Sequence, residues 1–595
     1  MKKRIYSILL VAALAGVSSC NTDFLEETPL DKYSDSAVWQ DPALVETFVN
    51  NIYLGIPSPF HTIMLANLVD EAQFNADWET ANVTKSQITP SYLGVFGSGF
   101  WVSHERYMTW ENTYKNIRAC NIFMEKIDGV TFDNQADKDR LTGEVLFLRA
   151  YFYHRLASFY GGVPIITNSY TLSDDFTVAR SSYEDVINFI VTECDKAAAL
   201  LPEAGDKARA TKGAALALKS RVLLYAASDL HNTSASWAPG YEHPELVGYT
   251  SGDQQARWQA AKDAAKAVMD MGMYSLYGGE NPASAEEATQ NYANLFLNNG
   301  NVEDIFLQFN DNIRNGNWDA PNPGLFTGPN GWHNWGESSP IGQLVDRYEM
   351  ADGTEFSWNN PAEKANPYEN RDPRFYASIL YEGAHWRPRP ADVVSADPIG
   401  IVQVGNYTKT DGTVVPGLDT RKGPIEDWNG SYTGYYLRKF IDPNINHQYN
   451  KQTLPFRRFR YAEILLNYAE ACLGLGQEDE AKTYINEVRA RAGMPPVTES
   501  GQALVERYRN ERSIELAYEE QRFFDVRRWM IGDVGYEDAT GVAVTGKMQA
   551  DGTITNRTYA PVVVQDREWN PRFYFLPIAE DEMNRNEKLI QNPLY

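Results

Sequence analysis

The residues with the plainest chemical use lie side by side, as Gly331-Trp332-His333-Asn334-Trp335-Gly336-Glu337. Indole faces, an amide and a carboxylate are the groups that hold a saccharide. Flat aromatic surface meets the C–H face of a sugar ring, and polar oxygens and nitrogens take its hydroxyls. Glycine at each side allows backbone angles that other residues avoid. Trp318, between Asn317 and Asp319, repeats the combination. Nearer the amino terminus Trp78 follows Asp77, and Trp101 follows the glycine-rich Gly94–Gly99 stretch. The expected ligand surface is therefore Trp332, Trp335, Trp318, Trp78 and Trp101, with Asn334, Glu337 and Asp77 bonding to hydroxyls. Each tryptophan has a competing role, that of pinning a long loop to its scaffold.

Other chemistries fit less well. Paired carboxylates could hydrolyse a glycoside, with Asp77, Asp319, Glu337 and Asp352 as candidates. Among 79 acidic residues, however, some pair always falls at a suitable separation. His104-Glu105 lacks a second histidine at position 108, so no zincin motif is present. No GxSxG elbow occurs. Gly541 to Lys547 imitates a phosphate loop, but Met548 replaces the magnesium-binding hydroxyl, and a hairpin-like surface loop is expected there. Arg509, Arg512, Arg522, Arg527 and Arg528 stand beside Glu511, Glu515, Glu519 and Glu520 at spacing that predicts i, i+4 ion pairs on a solvated face. The sequence thus nominates no catalytic residue, no metal ligand and no cofactor.

The amino terminus sets the compartment. Lys2, Lys3 and Arg4 precede an apolar run from Ile5 to Gly16, followed by Val17, Ser18, Ser19 and Cys20. This is a secretory signal, too short to span a bilayer, which needs about 20 apolar residues. A cysteine directly after small residues matches the bacterial lipobox, in which removal of residues 1–19 leaves an acylated Cys20. Each buried methylene adds roughly 0.8 kcal/mol of membrane affinity, so a multiply acylated Cys20 would tether the chain to a membrane.

Composition narrows the rest. At 595 residues the chain exceeds one usual compact core, so two domains or one elongated repeat scaffold are expected. A net charge of -25 would repel nucleic acid and anionic lipid headgroups but tolerates neutral ligands. Beyond Cys20 only Cys120, Cys194 and Cys472 remain, without CxxC spacing, and buried packing is expected for all three.

The elements that must carry the tryptophans are helical. Apolar spacing predicts helices over 106–128, 138–160, 182–201, 211–229 and 256–271, the fourth apolar nearly all round and hence deep in the core. Tyr461, Ile464, Leu465, Tyr468, Ala469 and Cys472 mark one helix. Gly474 and Gly476 break it, and Ala481, Ile485, Val488 and Ala492 mark an antiparallel partner. Such a pair occupies about 34 residues, the size of a tetratricopeptide unit. Residues 211–228 and 256–271 look like another pair, separated by an insertion holding His231, Trp237, Tyr241 and Tyr249. Between about 272 and 455 the helical period fades, and Trp318, Trp332, Trp335, Trp358, Trp386 and Trp428 crowd among Gly, Pro, Asn and Asp. Loops this long are usually functional.

Several stretches together resemble the SusD/RagB family. They are GEVLFLRAYFYHRLASFYGGVP at 143–164, YAEILLNYAEACLGLG at 461–476, AKTYINEVRARAGMP at 481–495, RNERSIELAYEEQRFFDVRRW at 509–529 and LPIAEDEMNRNEKLIQNPLY at 576–595. The lipobox and the FLEETP stretch after it agree. The resemblance implies a mainly α fold, a tetratricopeptide-like helix-pair scaffold with a large, irregular ligand-binding region. The expected order is a signal peptide at 1–19, a lipidated tether at 20–40, an amino-terminal scaffold at 41–271, the loop-rich region at 272–455 and a carboxy-terminal scaffold at 456–595. It further implies a surface lipoprotein of the outer membrane that binds glycan without catalysis and caps a TonB-dependent transporter of the SusC type. Two alternatives stay open: a peptide-binding member of the same family, and a glycoside hydrolase on a helical solenoid.

Overall fold

The computed structural model describes residues 35–97, 107–171, 173–309 and 322–595. Cys20, Trp101 and Trp318 lie outside the described residues, as do the signal segment and most of the expected tether. The last part of that tether is not extended: Asp35–Val38 makes a helical turn. Among the described residues no helix is long and apolar enough to cross a membrane.

A ladder of antiparallel helices forms the body. After α1 (Pro42–Tyr53) and α2 (Asp77–Thr84) come α3 (Trp110–Lys126), α4 (Gln135–Tyr160), α5 (Tyr183–Leu200), α6 (Lys212–Ala227) and α7 (Gln254–Met269). Each of the last four starts on a side-chain cap (Asn134, Ser182, Thr211 and Asp253) that accepts a bond from an otherwise orphaned N–H. Each helix from α3 to α7 packs on the next. The α6 helix is buried on nearly every face, as its composition predicts.

The ladder then resumes far along the chain. Helix α7 packs against α9 (Tyr461–Gly474), which pairs with α10 (Glu478–Arg491) and meets α11 (Gly501–Glu515). Gly474 permits this contact, because a Cβ there would sit 2.4 Å from the Trp258 ring. Residues between α7 and α9 are thus inserted between two neighbouring rungs of one array. At the base of the insertion lies α8 (Ala285–Phe296), and β2 (Asp304–Gln308) pairs antiparallel with β6 (Phe456–Arg460), clasping its entry to its exit.

The inserted region has its own apolar centre around Trp332, Tyr348, Phe375, Trp386 and Tyr436. Strand β1 (Ala72–Phe74) pairs with β3 (Ser338–Pro340), joining the amino-terminal part to the inserted loops. A four-stranded sheet runs β8-β7-β4-β5, from β4 (Asn406–Lys409), β5 (Val414–Pro416), β7 (Ala539–Met548) and β8 (Ile554–Gln565). The 541–547 stretch is therefore a paired strand of a hairpin rather than a surface loop. Cys120, Cys194 and Cys472 are free and buried, and burial pushes the Cys120 thiol up to about 12.

The arginine–glutamate cluster is not a solvated face. Glu511, Arg512 and Glu515 are fully buried, and their partners come from distant elements. Glu515 accepts from Arg374 (3.0 Å), Arg460 (2.7 Å) and Arg491. Glu511 pairs with Arg374 and Arg489, and Arg522 with Asp70. The spacing that suggested surface i, i+4 pairs also places these residues on one helix face, and that face points into the seam between ladder and insertion. Burial alone would raise the Glu515 carboxyl, but Arg491, Arg460 and Arg374 hold it well below the carboxylate range.

Candidate functional site

Three loops meet at the carbonyl oxygen of Trp335. Asn75, just past β1, donates from Nδ2 to it at 3.3 Å, and the Gly430 N–H donates to it at 3.0 Å. The Asn75 N–H donates to the Glu337 carbonyl at 3.0 Å, continuing the β1–β3 ladder. Arg421 closes the ring by donating from Nη1 to the Asn75 carbonyl at 3.4 Å. The loops approach so closely because position 336 is glycine. Its φ is +59°, and a Cβ would lie 2.8 Å from the Gly430 Cα.

Aromatic rings surround this junction. Trp78, in the first turn of α2, is 66% exposed, Trp428 is 56% exposed and Tyr432 is 42% exposed. Trp335 is half-buried, its ring 5.3 Å from that of Phe326. Large exposed aromatics are uncommon unless something covers them, and three carried by the segments of one junction make a surface suited to a ligand. The Asn75–Trp335 bond brings the segment that carries Trp78 beside the loop that carries Trp335. The structure adds Trp428, and also Tyr432 and Arg421, which sequence reading passed over. Their signal was present in EDWNGSY (426–432), which repeats the aromatic, amide, acid and glycine mixture of GWHNWGE.

Trp332, Asn334 and Glu337 do not join that surface. Trp332 is 1% exposed. Its Nε1 donates to the Pro388 carbonyl at 3.1 Å, and the Arg389 guanidinium lies 3.6 Å from its ring centroid. Arg389 is fixed in turn by Asp397 and Asp419. The cause is local: Asn330–Trp332 is a tight helical turn and His333 is left-handed at φ 58°, which sends successive side chains to opposite sides. Asn334 is buried against Gly328, and Glu337 is buried with Oε2 lacking a hydrogen-bond partner. Backbone placement puts Asp77 at the start of α2, and its side chain is outside the described set. His333 braces the rim, with Nε2 2.9 Å from Asp392 and Nδ1 3.9 Å from Glu426. The 231–249 insertion is occupied internally, Trp237 packing its ring 5.0 Å from Tyr574.

Burial, with a smaller contribution from Glu79, raises the Glu337 carboxyl to about 8. Between about pH 4.5 and 8 the folded chain alone keeps this proton, so stability falls as pH rises through that interval. Glu337→Gln keeps the shape and cannot ionise. It should raise the melting temperature at pH 8 and leave it nearly unchanged at pH 4.5 in scanning calorimetry. An equal shift at both pH values would refute the assignment.

Among the described residues no group of three or more His, Cys, Asp or Glu is placed to hold a metal ion. Of the four candidate acids, Glu337 is buried and protonated near neutrality, and Asp352 accepts from Thr354 in its own turn. Asp319 and the Asp77 side chain are not described.

Fold and motifs place the chain in a family. Residues 302–595 match the family model described as the SusD family. Residues 23–224 match one described as starch-binding associating with outer membrane. The chain belongs to the SusD/RagB family, with its mainly α, tetratricopeptide-like fold. A solved SusD-like protein from Bacteroides fragilis is 30% identical, covering 96% of this chain and 100% of that one, with a TM-score of 0.74. A SusD-like carbohydrate-binding protein, also from Bacteroides fragilis, is 25% identical over 93% of this chain and 100% of that one, with a TM-score of 0.66. Among curated relatives, SusD-like protein P25 of Formosa agariphila is 25% identical over 71% of this chain and 70% of its own length. Surface glycan-binding protein A of Bacteroides thetaiotaomicron, solved with laminarihexaose, shares the fold at 18% identity over 92% of this chain and 99% of that one, with a TM-score of 0.59.

Proposed function

We propose that this chain is a non-catalytic, cell-surface glycan-binding lipoprotein. Anchored through Cys20, it captures oligo- or polysaccharide and passes it to a TonB-dependent outer-membrane transporter of the SusC type. The observation that carries the reading is the exposed surface of Trp78, Trp428 and Tyr432, with Trp335 beside them, held by a junction of three loops. Stacking area at that density, beside a guanidinium and amides, suits sugar rings better than any ion or nucleotide. Relatives that are carbohydrate-binding and glycan-binding proteins agree with it.

Native gel electrophoresis through a panel of polysaccharides tests it. Retarded migration without product release supports the binder; released oligosaccharide would make the chain a hydrolase, and retention by peptides alone would move it to the peptide reading. Mild detergent extraction of the native membrane should recover it with an acylated Cys20 and a co-purifying barrel. Recovery alone, from cells expressing both, would refute the transfer step.

A further inference from the structure

Arg421 differs from the arginines around it. Its guanidinium lies 4.2 Å from the centroid of Tyr432, itself part of the exposed aromatic surface, and its one hydrogen bond among the described residues is the 3.4 Å contact with the Asn75 carbonyl. No carboxylate of the described residues lies within 4.0 Å of Arg421 or of the exposed Lys422 beside it. Arg389, in the same inserted region, is by contrast saturated by Asp397 and Asp419. Two adjacent cations with no acidic partner among the described residues are unexpected where acids outnumber bases, 79 to 54.

Among the described residues, two of the neighbouring acids are engaged by His333 and a third is uncharged near neutrality. Glu426 accepts from Asn429 and faces His333, and Asp392 bonds to His333. Glu337 is a protonated carboxyl near neutrality, with Glu79 close to it, and Asp427 is exposed to solvent. A guanidinium close to an aromatic ring, with one hydrogen bond among the described residues, has N–H groups to offer a planar or tetrahedral oxyanion through two parallel bonds.

We propose that the aromatic surface takes an acidic saccharide, and that Arg421 sets this preference by gripping a carboxylate or sulfate group while the sugar ring stacks beside it. Lys422 adds a second positive charge. The proposal rests on the glycan-binding reading and narrows it. Net charge does not oppose it: repulsion by a chain of -25 is screened over about 8 Å at physiological salt, whereas a bound oxyanion touches its cation.

Polygalacturonate and its fully methyl-esterified form share one backbone and differ at the carboxyl group, charged in one and a neutral ester in the other, and they make the central comparison. Alginate, dextran sulfate and neutral dextran and laminarin complete the panel, separating carboxylate from sulfate. The wild-type protein should bind at least one acidic polymer tenfold or more tighter than the neutral ones, and the margin should shrink in high salt. Arg421→Gln should abolish the margin without changing the melting temperature, and Arg421→Lys should keep part of it. Retention of neutral polymers only, of no acidic polymer, or an undiminished margin in Arg421→Gln overturns the proposal. If neutral polymers bind and Trp428→Ala releases them, the glycan reading survives that failure. If neutral polymers bind and Trp428→Ala changes nothing, the assigned site falls with the proposal; if no polymer binds, the glycan reading falls as well.

Discussion

Replacing Glu515 with alanine should be the most damaging single change in the molecule. The carboxylate is fully buried and accepts from Arg374, Arg460 and Arg491. Breaking a buried pair costs on the order of 3–5 kcal/mol, because the cation left behind keeps its desolvation penalty without its partner. Here three guanidiniums lose a shared acceptor, although Arg374 retains Asp372 and Glu511, and Arg460 retains Glu303 and Glu519. Denaturant unfolding should show a large fall in midpoint. An unchanged midpoint would mean that the network contributes nothing to stability. The pH dependence gives a second check. Carboxyls held low in the folded state, Glu515 well below its usual range and Asp70 and Glu470 at about 2, stabilise above about pH 4.5. That stabilisation is lost as pH falls toward 2. Glu337, and Glu71 raised by burial to about 7, oppose them on the alkaline side. Wild-type stability should therefore peak near pH 5, and Glu515→Ala should flatten only the acid limb.

Removing both Trp78 and Trp428 should abolish measurable ligand binding without unfolding the protein. Both rings are more than half exposed, so their loss takes little from the core. Aromatic anchors are worth on the order of 1–3 kcal/mol each. A single change should thus weaken binding from several-fold to over a hundredfold, and the pair by more. Trp332→Ala is the contrasting control. Its ring is enclosed under Arg389, so it should lower the melting temperature, with a cost of about 3–5 kcal/mol for a buried aromatic. Calorimetry of all three variants separates the roles. Normal affinity in the double variant would place the ligand elsewhere.

These contrasts show what was legible in the sequence. Helices α3 to α7, and the α9–α10 pair, were plain because apolar residues at 3.6-residue spacing have few alternatives to lying against another helix. Gly161 after α4 and the Gly474–Gly476 break after α9 fell where expected. The identity of the exposed tryptophans was not legible. Trp332 and Trp335 share a loop, a glycine-rich setting and polar neighbours, yet a single left-handed residue, His333, sends one inward and leaves the other at the rim. Composition carries no record of that rotation. The buried charges were hidden for a related reason: Glu511, Arg512 and Glu515 look solvated until Arg374 and Arg460, remote in sequence, arrive to neutralise them. Long-range partners decided both outcomes.

The clasp between β2 and β6 has a further consequence. Because the inserted loops leave and re-enter the ladder at one paired strand, their ends are fixed together whatever lies between. Closing such a loop costs only about 0.6 kcal/mol more for each doubling of its length. The ladder can therefore accept a replacement between Phe309 and Pro455 without learning a new way to fold, provided the incoming segment still supplies Arg374 to the buried carboxylates. Exchange of that cassette between relatives would replace the exposed aromatic surface while keeping the same scaffold.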